Sequence, residues 1–415
     1  MVVKTSNSFK FAWKSLQISG KPRSKQIEAV NSILEEHDTL VVAPTSFGKS
    51  AIYLVSAIIN GGSGDWALVI EPTLALIADQ VKKLQELGVK AKMLTSRNRD
   101  AHYTVLNHLS EHKITILYVT PERLQTADFL AAVEDRPPWL IAVDEAHCLL
   151  DWGYTFRPAY LEIKGLIKDL KRRPVIAAFT ATAPPDYRST ICDLLGMKKP
   201  AVYTSGLERN NIILLKEDCS GFSLKKRLSR VNYNIKKYAK NGRVVVYCAT
   251  RKNVDLVSNY LTKKFPGKVV KCHGYMDTDK REKHELQFID GSKRIMVATT
   301  AFAMGVSVPD IRLVVHLNLP LSIIDYYQQI GRAGRDGEKS HAVLLYHPDD
   351  IALNQYILKK ENLSEKVRNW LFDRLNEIAS VAESDQCLMK QVLESLGEDH
   401  PATCRHCTNC QKARR

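Results

Sequence analysis

The chain has 415 residues, a length typical of two or three domains that each bury a core of their own. With 45% hydrophobic and 25% charged residues, it has the composition of an ordinary globular protein. A net charge of +15 favours a polyanionic partner, nucleic acid before a membrane surface. No stretch approaches the roughly 20 apolar residues of a membrane span, and residues 1–10 lack the apolar core of a signal peptide. We therefore expect a cytoplasmic protein, bacterial or nucleoid-associated, without a membrane partner.

Two successive runs of alternating strands and helices follow a polar, helical N-terminal segment. In the first run the apolar stretches that predict strands are residues 39–42, 67–70, 114–119, 140–143 and 175–179. In the second run, from about residue 206, they are residues 243–247, 268–270, 294–298, 313–316 and 342–346. Strands alternating with helices predict parallel sheets with helices on both faces, and such sheets bind ligands beyond the carboxyl ends of their strands.

The domain organisation follows from these two runs and from the helical pattern after about residue 347. The sequence predicts an α/β protein with two tandem parallel-sheet domains at residues 1–205 and 206–346, followed by a small helical domain at 347–415. Only the first run carries a nucleotide-type loop. This asymmetry suggests a motor whose second lobe closes on a nucleotide bound by the first.

A phosphate-binding loop is predicted by Gly48, Lys49 and Ser50, which follow a strand and open a helix. Such a loop offers backbone N–H groups at a helix N-terminus, a lysine for the β- and γ-phosphates, and a hydroxyl for Mg²⁺. Ala43 and Phe47 stand where many such loops have glycine. A Gly-Lys-Ser tripeptide also occurs by chance, but the strand before this one and the acids on a later strand argue against that explanation.

Two acids, Asp144 and Glu145, directly follow the apolar stretch at residues 140–143. Adjacent carboxylates at a buried strand end repel each other unless a cation lies there. Asp144 is therefore predicted to hold Mg²⁺, and Glu145 to orient or deprotonate an attacking water molecule. A solvated strand end is the alternative.

Arg332 and Arg335 stand three residues apart, and they share a face if their segment is helical. Such arginines can neutralise charge on a γ-phosphate held by the other lobe. Two arginines alone are more often part of a solvated face, so this interpretation depends on the other motifs.

Together these motifs resemble those of superfamily 2 helicases with two RecA-like lobes, and specifically the RecQ family of DNA helicases. The discriminating stretch is residues 144–158, in which an Asp-Glu-Ala-His box runs directly into an aromatic-rich loop. Further motifs match the family in its order, at residues 44–50, 71–80, 118–123, 179–183, 301–305 and 328–335.

The resemblance implies an ATP-dependent DNA helicase or translocase that moves 3′→5′ on single-stranded DNA and unwinds tailed or forked DNA in repair or recombination. It implies that Arg23 and Gln26 read adenine, although an aromatic expected a few residues earlier is replaced by Ser19 and Gly20. The other implied ATP contacts are Thr45, Ser46, Phe47, Gly48, Lys49 and Ser50. The implied catalytic residues are Lys49, Asp144, Glu145, Gln328, Arg332 and Arg335.

The resemblance also implies a set of DNA contacts. His147 would link the γ-phosphate site to the DNA. Trp152, Phe156 and Arg157 resemble a loop that senses single-stranded DNA, because aromatic rings beside an arginine can stack on unpaired bases. Ordinary core packing is the alternative for both aromatics. Polar strand ends predicted to hold DNA phosphates, each of which could instead be structural, are Thr120, Arg123, Arg251, His273 and Thr299.

Four C-terminal cysteines have metal-ligand spacing: Cys387, Cys404, Cys407 and Cys410. This spacing can place four thiolates around Zn²⁺, with iron–sulfur ligation as the alternative. Resemblance to the RecQ zinc-binding module favours zinc, with His400 and His406 as spare ligands. The remaining cysteines are predicted to be buried and reduced.

The chain stops five residues after Cys410, before the winged-helix and HRDC domains that follow in many RecQ proteins. We therefore expect limited unwinding or dependence on a protein partner. Two other functions stay open on the sequence alone, an ATP-gated DNA-binding adaptor without strong unwinding and an RNA helicase.

Overall fold

The computed structural model describes residues 6–18, 20–44, 47–62, 64–96, 98–151, 158–302, 308–361, 363–400 and 403–414. The chain divides into two compact units, Met1–Gly206 and Leu207–Arg415. Across the described ranges, no helix is at once long enough and apolar enough to cross a membrane.

The first unit is built on a seven-stranded parallel sheet. Its strands are β1 (Thr39–Val42), β2 (Ala67–Ile70), β3 (Ala91–Leu94), β4 (Ile116–Val119), β5 (Leu140–Val143), β6 (Val175–Thr180) and β7 (Ala201–Thr204). Their order across the sheet is β3-β4-β2-β5-β6-β1-β7. Its helices are α1 (Ser6–Ser15), α2 (Ser24–Leu34), α3 (Lys49–Gly61), α4 (Leu74–Glu86), α5 (His102–Ser110), α6 (Ala127–Asp135), α7 (Cys148–Asp151), α8 (Ile163–Asp169) and α9 (Pro185–Leu195).

The central strands of this sheet are buried along their whole length, because their residues are apolar on both faces. The sequence predicted these five strands. It missed β3 and β7, which lie at the two edges and are only partly buried. An edge strand has one neighbour, so it need not carry the continuous apolar run that marks a buried strand.

The second unit holds a six-stranded sheet, also parallel, which confirms the predicted fold class. Its strands are β8 (Ile212–Asp218), β9 (Arg243–Tyr247), β10 (Val269–Cys272), β11 (Ile295–Ala298), β12 (Ile311–His316) and β13 (Ser340–Tyr346), in the order β10-β11-β9-β12-β13-β8. Its helices are α10 (Leu224–Tyr238), α11 (Arg251–Lys264), α12 (Thr278–Ile289), α13 (Ile323–Ile330), α14 (Asp349–Lys360), α15 (Glu365–Glu383), α16 (Leu388–Ser395) and α17 (Thr408–Lys412).

The C-terminal helices pack on the second sheet and belong to the same compact unit. Helices α15 and α16 contact α13, and α17 contacts strand β8. At that edge the Lys216 backbone N–H donates a hydrogen bond of 2.9 Å to Thr408 Oγ1. The predicted boundary of a separate domain at residue 347 stays a prediction.

Candidate functional site

The predicted phosphate loop connects strand β1 to helix α3. Gly48 has a φ of +82°, a left-handed conformation that favours glycine, and a Cβ atom there would lie 2.9 Å from Gln26 Nε2. Helix α3 begins at the next residue, and the Lys49 ammonium donates a hydrogen bond of 3.0 Å to the carbonyl oxygen of Ala43. The loop therefore has the strand–turn–helix geometry that binds phosphate at a helix N-terminus.

Gln26 and Arg23, the predicted adenine contacts, lie beside this loop. The buried Gln26 side chain donates to the carbonyl oxygen of Phe47 over 2.9 Å and accepts from the Arg23 backbone N–H over 2.8 Å. The Arg23 guanidinium lies 5.0 Å from the centroid of the Phe47 ring, within cation–π range. These contacts tie the start of helix α2 to the phosphate loop.

Asp144 follows strand β5 and is buried. Its Oδ2 accepts a hydrogen bond of 3.1 Å from the Tyr53 hydroxyl, and its Oδ1 accepts one of 2.9 Å from the Glu145 backbone N–H. Burial raises the pKa of Asp144 to about 6, repulsion by Glu145 adds to the rise, and the positive charge of Lys49 opposes it. The first unit thus brings the loop lysine and the predicted metal-binding acid close enough to interact.

Glu145 and His147 connect this acid to strand β6. Glu145 has a φ of +48°, which is uncommon for a residue other than glycine. Its Oε2 lies 3.4 Å from Nδ1 of His147, which also lies 3.2 Å from Oγ1 of Thr180. Thr180 in turn donates to the carbonyl oxygen of Thr182 over 2.9 Å. Burial lowers the pKa of His147, so its imidazole is neutral near pH 7.

Sequence reasoning missed several buried polar residues beside Asp144. The Tyr118 hydroxyl donates to Gln80 Oε1 over 2.8 Å, and the Tyr53 hydroxyl lies 3.5 Å from the same oxygen. Glu71, which directly follows strand β2, is 1% exposed. A usable signal existed for Tyr53, because it stands three residues after Ser50 and so shares its helical face.

Two predicted phosphate contacts of the first unit already have local roles. Thr120 is buried at the N-terminus of the short 3₁₀ helix Pro121–Gln125. Arg123 forms an ion pair with Asp128. A DNA phosphate at Arg123 would therefore share the guanidinium with a carboxylate.

Five predicted site residues lie outside the described residues: Thr45, Ser46, Trp152, Phe156 and Arg157.

In the second unit, three predicted DNA contacts lie at the carboxyl edge of the sheet, where its parallel strands end. Strands β10, β11 and β9 are neighbours that end in register, so His273 and Thr299 leave the sheet at the same level. Arg251 begins helix α11 at this edge, and its guanidinium lies 4.3 Å from the centroid of the Tyr275 ring. Tyr275 is 83% exposed, and sequence reasoning missed it, although an aromatic two residues after His273 was a readable signal.

The paired arginines lie beyond the end of helix α13. Because the helix ends at Ile330, Arg332 and Arg335 occupy the following turns and not one helical face. Gly334 has a φ of +57°, and a Cβ atom there would overlap its neighbours, so this glycine serves a tight backbone. Burial raises the pKa of Tyr247, and the charges of both arginines oppose the rise, which places both guanidinium groups near that hydroxyl.

The four C-terminal cysteines converge. The sulfurs of Cys387, Cys404, Cys407 and Cys410 all lie within 4.8 Å of one another. The Cys404–Cys410 and Cys407–Cys387 pairs are each 4.0 Å apart. Hydrogen bonding between the sulfurs lowers the pKa of Cys407 and raises that of Cys404, while burial raises the pKa of Cys410. His400 contacts Glu208 at 3.1 Å. The four sulfurs can hold one metal ion.

Three family models match the chain. They are "DEAD/DEAH box helicase" at residues 23–190, "Helicase conserved C-terminal domain" at 226–337 and "RecQ zinc-binding" at 348–411.

Curated relatives match nearly the whole chain. The ATP-dependent DNA helicases RecQ of Bacillus subtilis and Haemophilus influenzae are each 34% identical to it, over 95% and 94% of its length. The chain spans 65% and 61% of those two proteins. The probable ATP-dependent DNA helicase RecS of Bacillus subtilis is 32% identical over 90% of the chain and 73% of its own length.

Solved structures match the fold at lower identity. Mss116p, bound to ssRNA and AMP-PNP, aligns with 95% of the chain and 88% of its own, with a TM-score of 0.69 and 19% identity. The DUF1998 helicase MrfA, bound to DNA and AMPPNP, aligns with 97% of the chain and 59% of its own, with a TM-score of 0.68 and 17% identity. At such identities the likeness supports the fold alone.

Proposed function

Since the chain belongs to the RecQ family of helicases, we propose that it is an ATP-dependent DNA helicase acting in DNA repair or recombination. It would move 3′→5′ on single-stranded DNA and separate tailed or forked duplexes. The observation that carries the proposal is that helix α3 begins at Lys49 and its Tyr53 hydroxyl donates a hydrogen bond of 3.1 Å to the buried Asp144, so that Lys49 and Asp144 belong to one site. These are the two charges that ATP hydrolysis on a phosphate loop requires.

The nucleotide chemistry is assigned to residues of the first unit. The α3 N-terminus and Lys49 would bind the ATP phosphates, and Arg23 and Gln26 the adenine. Ser50 and Asp144 would hold Mg²⁺, which supplies charge neutralisation at the β- and γ-phosphates. The remaining loop residues assigned to ATP are Thr45, Ser46, Phe47 and Gly48.

Glu145 would orient the attacking water and accept its proton. A change in the charge of this carboxylate would be felt at the end of strand β6, because His147 contacts both Glu145 and Thr180. From the second unit we assign Arg332 and Arg335 to stabilising charge on the γ-phosphate, a contribution of about 10³–10⁵ in rate where such arginines act. Gln328, partly buried on helix α13, is assigned to the same step.

Single-stranded DNA would run along the sheet edges that carry the polar strand ends. In the first unit its contacts are assigned to Thr120, Arg123, His147, Trp152, Phe156 and Arg157. In the second unit they are assigned to Arg251, His273 and Thr299, whose clustering at one edge supports the assignment. Contacts of this kind hold phosphates without reading sequence.

The metal at the cysteine cluster is proposed to be zinc. A tetrahedral ion about 2.3 Å from each thiolate holds the sulfurs about 3.8 Å apart. The two pairs at 4.0 Å fit that spacing. An iron–sulfur cluster would stand between the thiols and hold them farther apart, so the spacing disfavours it.

A Lys49→Ala variant tests the proposal. We expect DNA-stimulated ATP hydrolysis to fall at least about 100-fold, because a preorganised charge on the transferred phosphoryl group is lost. Release of a labelled strand from a 3′-tailed duplex should stop, while DNA binding by the variant should persist. The measurements are phosphate release and strand release on 3′-tailed DNA, 5′-tailed DNA and an RNA duplex.

Lys82→Ala, which removes an exposed lysine from helix α4, is the matched control and should behave as the wild type. Full turnover by Lys49→Ala, or strand release from RNA alone, would contradict the proposal. ATP hydrolysis without any strand release would instead identify an ATP-gated DNA-binding adaptor.

A further inference from the structure

A buried carboxylate, Glu71, has no part in the chemistry assigned so far. It is 1% exposed, and its Oε1 accepts the Thr73 backbone N–H over 3.1 Å. Its Oε2 is buried and has no hydrogen-bond partner among the described residues. Leaving a carboxylate oxygen buried and unpartnered costs free energy, so its presence requires an explanation.

Glu71 lies next to Asp144 across the sheet. The last residues of strands β2 and β5, Ile70 and Val143, are paired. Glu71 and Asp144 therefore leave neighbouring parallel strands at the same level and on the same face. Burial raises the pKa of Glu71, and the charges of Asp144 and Glu145 raise it further, which places the three carboxylates within interaction distance.

Tyr53 contacts both predicted magnesium ligands. Its hydroxyl donates to Asp144 Oδ2 over 3.1 Å and also interacts with the Ser50 side chain. One Asp144 oxygen is thus held by a helix α3 side chain and the other by a backbone N–H group. The Glu71 Oε2 atom is left as the acceptor without a donor in this group.

We propose that Glu71 is a further acidic residue of the magnesium site, whose Oε2 accepts hydrogen bonds from water molecules of the Mg²⁺ ion held by Asp144 and Ser50. Protein-bound Mg²⁺ usually keeps several water molecules, so acceptors around the direct ligands matter. Tyr53 is the positioning residue that orients Asp144. The inference rests on the proposed function, because the metal is the one that accompanies bound ATP.

The test measures binding without turnover. A fluorescent, non-hydrolysable ATP analogue is titrated in EDTA and across a range of Mg²⁺ concentrations, and thermal unfolding is recorded in EDTA without nucleotide. In Glu71→Gln, the Mg²⁺ concentration giving half of the increase in affinity should rise about 10-fold or more, as when outer partners of metal ligands are removed. Analogue affinity in EDTA should not fall.

The same substitution should not lower the melting temperature in EDTA, because Oε2 has no hydrogen-bond donor among the described residues whose contact would be lost. A purely structural carboxylate would show the opposite pattern, with lower stability and unchanged Mg²⁺ dependence. Glu86→Gln makes the same change at an exposed site on helix α4 and should alter neither measurement.

Tyr53→Phe provides a second variant that removes only a hydroxyl group. It should raise the half-saturating Mg²⁺ concentration several-fold without abolishing analogue binding, and it decides the question if Glu71→Gln does not fold. The inference is overturned if the variant tested keeps the wild-type Mg²⁺ dependence. If the wild type itself shows no Mg²⁺-dependent binding, both the proposed nucleotide site and this inference fail. If the wild type shows it and the variant does not differ, only this inference fails.

Discussion

The aromatic ring of Tyr275 is exposed to solvent beside the carboxyl ends of the strands of the second sheet. It exposes 83% of its surface, and the Arg251 guanidinium lies 4.3 Å from its ring centroid. Singly exposed aromatics are normal on protein surfaces, but this one adjoins His273 and a cation at the edge assigned to DNA. A ring paired with an arginine offers an unpaired base a stacking surface and its phosphate a positive charge.

A Tyr275→Ala variant should therefore bind single-stranded DNA more weakly. Stacking on an aromatic side chain contributes about 1–3 kcal/mol per base, which corresponds to a loss of roughly 5- to 150-fold in affinity. Fluorescence anisotropy of a labelled oligonucleotide without ATP measures the effect. Tyr103→Ala on helix α5, where the ring is 77% exposed, is the control. If the two variants bind the oligonucleotide with equal affinity, Tyr275 does not contact the DNA.

At the scale of elements, a strand could be predicted from the sequence when it is buried along its length. Strands β1, β2, β5 and β9 have the predicted bounds, because continuous apolar runs ended by polar residues mark them in the sequence. The edge strand β8 was missed, since its second half, Lys216 to Asp218, is polar. The parallel arrangement also followed from the alternation of strands and helices.

The candidate site could be predicted where a motif acts within its own segment. Gly48 to Ser50 and the acids after strand β5 belong to that class. The position of Glu71 beside Asp144 was missed because it depends on strand β2 lying beside β5, an order that the chain sequence does not reveal. Sequence reasoning left open whether Arg332 and Arg335 lie in a helix, and the structure shows that helix α13 ends before them at Ile330 and that the backbone is left-handed at Gly334.

The cysteine cluster organises the two short C-terminal helices. Cys387 precedes helix α16, and Cys407 caps helix α17, where its sulfur accepts the Cys410 backbone N–H. Helix α17 also supplies Thr408 Oγ1 to the edge of strand β8. Helices of five and eight residues are too short to be stable in isolation. Their position should therefore depend on the bound metal.

Cys407→Ser should release the metal and loosen both helices. Metal analysis should find one zinc ion per wild-type chain and none in the variant, and limited proteolysis should cut the variant after helix α15. The expected loss is large, because structural zinc contributes about 10–16 kcal/mol of apparent binding free energy. Cys192→Ser, in the first unit, should keep the zinc. A variant that retains stoichiometric zinc and protease resistance would contradict the assignment.

At the scale of the whole molecule, the net charge of +15 is concentrated in one stretch. Residues 207–300 contain 21 lysines and arginines against nine acids. They place cations both at the carboxyl ends and at the amino ends of the strands of the second sheet. Helix α11 starts at the carboxyl end of strand β9 and runs back to the level of the amino ends. Lys252 and Lys280 lie at the edge of the polar strand ends, whereas Lys263 and Lys264 close the last turn of α11.

If single-stranded DNA follows the carboxyl edge, equal reductions of charge at the two edges should have unequal effects. In Lys252→Gln/Lys280→Gln, the slope of log affinity against log salt concentration should become shallower by about 0.7 for each DNA phosphate that the variant no longer neutralises. In Lys263→Gln/Lys264→Gln the slope should stay unchanged, because a Debye length of about 8–10 Å screens charges at the far edge. Anisotropy titrations between about 50 and 200 mM salt measure both slopes. Equal reductions in the two variants would mean that affinity follows total charge, and the path assigned along Arg251, His273 and Thr299 would be wrong.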